Sequence, residues 1–121
     1  MSEGATTWLI PDAYIPDRST GDLPSHEAIC VLNTTNSDAR LEFSFYFEDR
    51  DPIVGVTTVV PAERTRHIRT DDHAALGGVE LPKGVPFAIR VRSDVPVTIQ
   101  YSRLDTSQDA LALMTTMGHP S

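Results

Sequence analysis

Between positions 41 and 48 the chain alternates residue by residue. Leu41, Phe43, Phe45 and Phe47 fall on one side of the backbone, and Glu42, Ser44, Tyr46 and Glu48 on the other. An α-helix turns 3.6 residues per revolution and would scatter those four apolar groups around its circumference. An extended strand lines them up on one face, so this segment must be a strand with one side in a core.

The same pattern recurs. Phe87, Ile89 and Val91 alternate with Ala88, Arg90 and Arg92, and after a break at Ser93-Asp94 the residues Val95, Val97, Ile99 and Tyr101 alternate again. The break predicts a hairpin between these two runs. Further strands are predicted at Thr7–Ile10, Glu27–Asn33, Val56–Val60 and Thr65–Thr70, each closed by proline, asparagine or aspartate-rich punctuation. Residues 107–117 admit a helix opened by Thr106 or Ser107, or a last strand. The alternation of Leu111, Leu113 and Thr115 with Ala112, Met114 and Thr116 favours the strand. Nine prolines and seven glycines with almost no helical period predict an all-β fold, an antiparallel β-sandwich of jelly-roll-like type. A length of 121 residues suits one domain, 1–121, with 1–5 and 118–121 as loose ends.

Several kinds of function lose support on these residues. No apolar run exceeds five residues and no basic start precedes an apolar stretch, which predicts a cytoplasmic protein. A net charge of −7 opposes non-specific adhesion to nucleic acid. Cys30, the sole cysteine, lies in the apolar run 28–32 and reads as a core thiol rather than a nucleophile. The spacing of His26, Glu27, His67, Asp71, Asp72 and His73 includes no His-x-His pair or His-Glu-x-x-His run, so no metal is expected. Without a nucleophile elbow or a phosphate loop, neither catalysis nor a cofactor is expected; Gly77-Gly78 reads as a turn.

Binding chemistry has better footing. Nine of the ten basic residues are arginine, and six of those nine lie between Arg64 and Arg103, which fits either a recognition surface or interstrand ion pairing. Strand geometry sets Thr65, His67 and Arg69 on one face and Arg66, Ile68 and Thr70 on the other, with Ile68 marking the inward side. His67 and Arg69 then point outward as a donor pair or as a solvated face. Gln100 and Ser102 oppose Ile99 and Tyr101, while Arg103 falls on the Tyr101 side.

Six short motifs follow one another in order: Tyr14-Ile15-Pro16, Ser19-Thr20-Gly21, Ser25-His26-Glu27, Cys30-x-Leu32-Asn33, Pro61-Ala62-x-Arg64-Thr65-x-His67-x-Arg69, and Gln100-x-x-Arg103-Leu104-Asp105. In this order and spacing the chain resembles the sensory rhodopsin transducer family from about Trp8 to Met117. The resemblance implies a β-sandwich forming a homotetramer and acting as the partner of a microbial rhodopsin. It also implies kinship with domains that bind small polar ligands such as sugars, and a role on DNA as a third reading. Carried onto matching positions, it nominates His26, Glu27, Asn33, His67, Arg69, Gln100, Arg103 and Asp105 as ligand-binding or interface residues, with Trp8 or Tyr14 offering a ring face. Two departures stand out: Ala13 replaces an expected glycine, and 70–84 diverges from the family pattern.

Overall fold

A computed structural model describes residues 3–17, 26–105 and 112–121. The described residues form eight strands and no helix. They are β1 Ala5–Tyr14, β2 His26–Asn33, β3 Ala39–Phe47, β4 Ile53–Val60, β5 Arg64–Arg69, β6 Pro86–Asp105, β7 Ala112–Met117 and β8 His119–Pro120. Every pairing is antiparallel. The fold is all-β, as the alternation requires.

One correction concerns β6. No hairpin forms at Ser93-Asp94; the two runs are halves of one 20-residue strand. Its first half lies between β1 and β3, with Phe43 opposite Val91 and Trp8 also opposite Val91. Its second half lies between β2 and β7, with Tyr101 opposite Ile29 and Thr116. Along β1 the register jumps from Thr7 opposite Arg92 to Ala5 opposite Val97, so the residues between 92 and 97 make the corner. Pro96 suits that corner, because it has no N–H to give to a ladder. Asp94 secures it by accepting a bond from the Arg40 N–H at 2.8 Å. One arm therefore runs β4-β3-β6-β1-β8 and the other runs β5-β2-β6-β7.

Between the arms the described residues form one apolar cluster, with Phe43, Phe45, Ile89 and Ile10 from the first and Ile29, Ile68 and Ile99 from the second. Phe43 and Phe45 are wholly enclosed, and truncating either to alanine would cost about 3–5 kcal/mol. Trp8 is core as well: its indole N–H donates to Ala5 O and Val97 O at 3.0 and 2.9 Å. Cys30 departs from its expected place. Glu27, Ile29, Val31 and Asn33 take the inner face of β2, so period two turns Cys30 to the outer face, half-buried, with Sγ 3.8 Å from Ser102 Oγ.

The described part of 107–117 is strand, β7; residues 106–111 lie outside the described set. Residues 118–121, expected to be loose, are tied down. Gly118 N–H donates to Ile99 O, β8 pairs with Trp8 and Leu9, and Ser121 N–H donates to Thr7 O. Gly77 and Gly78 do occupy a turn, both at positive φ. No described helix is long and apolar enough to cross a membrane.

Candidate functional site

The candidate residues divide between the two faces of the β5-β2-β6-β7 arm. On its outer face the register sets His67, Cys30, Gln100 and Met117 in one row, and Arg69, Ala28, Ser102 and Thr115 in the next. His26 stands opposite Leu104 at the end of that face. Arg69 grips Asp71 with two bonds, Nε to Oδ1 at 2.8 Å and a terminal nitrogen to Oδ2 at 2.7 Å. Burial raises the Asp71 carboxyl, but the Arg69 bond and charge, with His26 nearby, outweigh it and hold the group below its ordinary value.

On the inner face Glu27 is fully enclosed. Its Oε1 accepts from the Tyr14 backbone N–H at 2.8 Å and from the Tyr101 hydroxyl, and its Oε2 accepts from Arg103 Nε. One carboxylate thus ties β2 to the end of β1 and to β6. Burial pushes Glu27 above its ordinary value against the pull of those bonds. Burial, and then the Glu27 charge, push the Tyr101 phenol far upward. Arg103 loses some hydration to burial, but the Glu27 bond and charge outweigh that and hold it above its usual range.

Asn33 is also fully buried, at the far end of β2, and spends its amide on backbone. Nδ2 donates to Ser37 O, Val60 O and Pro61 O at 2.9, 3.1 and 3.2 Å, and Oδ1 accepts from the Thr35 N–H and Oγ1–H at 3.0 and 2.7 Å. Asp105 ends β6 opposite Ala112. The structure therefore joins Glu27 to Arg103 and groups His67 and Gln100 on the outer face, with Arg69 in the next row. Asn33 stands apart from both sets.

The side chain of Arg103 reaches a cleft of about 360 Å³ between the β1-β8 edge of one arm and β7 of the other. Sequence reasoning named Arg103 there and missed Asp12, Met114, Met117 and His119, which also line it. A signal for Asp12 was present. Trp8 and Ile10 point inward, the next inward residue is Ala13, and Pro11 sits in the gap. That lapse of period two is a bulge between Ile10 and Ala13, and bulges re-aim side chains. For β7 the alternation was legible, but no local rule told which face would meet the cleft.

The arginines between Arg64 and Arg103 do not gather into one recognition surface. Arg66 bonds Thr58 Oγ1 and Val59 O on β4, and Arg69 lies on the outer face of its arm. Arg90 and Arg92 lie on the opposite arm, facing away from Ile89 and Val91. Among the described residues no group of three His, Cys, Asp or Glu is placed to hold a metal ion.

Fold and site together define a small all-β protein whose polar chemistry converges on one enclosed carboxylate and one open charged cleft. The family model for Anabaena sensory rhodopsin transducer matches residues 3–120. The crystal structure of Thermotoga maritima 1070 superimposes with a TM-score of 0.89 at 37% identity, over 99% of this chain and 97% of that one. The structure of Anabaena sensory rhodopsin transducer does so with a TM-score of 0.76 at 37% identity, over 90% and 96%. No curated protein sequence matches the chain. The chain belongs to the Anabaena sensory rhodopsin transducer family.

Proposed function

We propose that this chain is a non-enzymatic, cytoplasmic signalling protein that relays a signal from a membrane photoreceptor of the microbial rhodopsin type. The observation that carries this reading is the family match over 3–120, together with 37% identity to a sensory rhodopsin transducer across 90% of the chain. The net charge of −7 supports it, because rhodopsin cytoplasmic loops are rich in Lys and Arg. The outer face of the β5-β2-β6-β7 arm, small at Ala28, Cys30 and Ser102 and apolar at exposed Leu32, Leu113 and Met117, supports assembly into a homotetramer through that face.

The test is binding of the purified protein to a microbial rhodopsin in nanodiscs, in darkness and in light. Saturable binding that changes with illumination and weakens with salt is expected. Equal signals from empty nanodiscs would refute the relay. Sedimentation at four times the chain mass is expected, and a monomer would remove the tetramer.

The cleft at Arg103 favours a second reading, a module that binds a small polar ligand. A volume of about 360 Å³, mixed apolar and charged walls and a bulge at its rim are the usual features of such sites. A saturable rise in melting temperature with a small molecule tests it.

A further inference from the structure

Resting on the reading of the cleft as a ligand site, we propose that it binds a small zwitterion with an apolar side chain, of the free α-amino acid class, between Arg103 and Asp12. The two residues come from different arms. Asp12 is exposed on the β1 bulge, and Arg103 comes from the second half of β6. Both line the same cleft and share no described ion pair, so the cleft carries one positive and one negative group on walls from different arms.

Arg103 is held in place from behind. Among its described hydrogen bonds it spends Nε on the buried Glu27, and its side chain remains 22% exposed. That leaves the terminal guanidinium nitrogens as donors for a carboxylate. Asp12 supplies the acceptor for an ammonium. Ile10, Pro11 and Met114 supply an apolar wall, and an unbranched methionine side chain adapts to ligands of differing shape.

Other ligand classes fit less well. A sugar needs an exposed aromatic face, whereas Trp8 and Tyr101 are 5% and 3% exposed, and the Trp8 N–H is already used within the core. A phosphate or dicarboxylate would meet one arginine already shared with Glu27, and would be repelled by Asp12. A zwitterion satisfies both charges at once.

Thermal shift and calorimetric titration with leucine, leucinamide, N-acetylleucine and glucose test the assignment. Leucine should raise the melting temperature saturably. Leucinamide, without the carboxylate, and N-acetylleucine, without the ammonium, should each bind at least about tenfold more weakly. Asp12→Asn should weaken leucine by a similar factor, and the exposed position of Asp12 leaves the fold intact. An unchanged leucine affinity in Asp12→Asn, or equal affinity for leucinamide, would overturn the zwitterion site. A shift with glucose and none with leucine would overturn it while leaving a ligand module standing. No shift with any of the four would overturn the zwitterion site, and the ligand module would then stand or fall on a wider panel of small polar molecules.

Discussion

Replacing Asn33 should destabilise the protein far more than its single polar side chain suggests. Its amide makes five bonds to three backbone carbonyls and to the N–H and hydroxyl of Thr35. They bind the β2-β3 connection to the end of β4. In Asn33→Ala the Val60 carbonyl is left buried without this donor, a penalty of about 1–3 kcal/mol. Ser37 O takes the Thr35 hydroxyl proton that Asn33 Oδ1 no longer accepts, and Pro61 O and the Thr35 N–H are near enough to solvent to recruit water, so each adds only about 0.5 kcal/mol. The sum is about 2–4 kcal/mol, which at this chain length lowers the melting temperature by roughly 10 °C.

Asn33→Asp separates hydrogen bonding from size. The shape is kept, but a carboxylate would face three carbonyl oxygens, so its folded pKa must rise. A group with a raised folded pKa contributes stability that is present below its unfolded value, about 3.9 for aspartate, and lost as pH rises through the folded one. Asn33→Asp should therefore be the worse variant at neutral pH and recover as the solution is acidified, while Asn33→Ala shows no such recovery. Urea denaturation at several pH values reads both. A cost below about 1 kcal/mol for Asn33→Ala, or parallel pH profiles for the two variants, would refute the hydrogen-bond account.

Further perturbations test other parts of the molecule. Glu27→Gln keeps an acceptor for Tyr14 and Tyr101 but turns an amide donor towards Arg103 Nε, for a cost of about 2 kcal/mol. Glu27→Ala should cost about 3–5 kcal/mol, read by urea midpoint. Because the folded pKa of Glu27 is raised, its contribution is full below 4.5 and lost as pH rises, so the gap between wild type and Glu27→Gln should widen in acid. Asp71 behaves oppositely. Its lowered folded pKa gives stability above 3.8 that is lost as pH falls further, and with Arg69 42% exposed the loss in Asp71→Asn at neutral pH should stay below about 1 kcal/mol. Gly4→Ala would place a Cβ 2.4 Å from Val97 O at a φ of 81°, so chemical denaturation should show a loss of at least about 2 kcal/mol.

The strands were legible because a strand's side-chain period is a local property. Leu41 to Phe47 announced their inward face without reference to any other segment, and the ends of β2 and β4, at Asn33 and Val60, followed from punctuation alone. His67 and Arg69 were placed outward by the same rule, and they are outward. The resemblance carried by the short motifs also reached the family, since motif order is written along the chain.

What no local rule supplied was the pairing. Ser93-Asp94 reads alike whether the chain reverses or bends, and the bend prevails because β1, β2 and β3 all offer edges to the same long strand. The meeting of Glu27 with Tyr101 and Arg103, and of Asp12 with Arg103 across the cleft, joins residues more than seventy positions apart. Alternation tells a residue which side of its own strand it occupies. Which other residue waits there depends on how the sheets close over their common core, and that closure is settled by the packing of every apolar face at once.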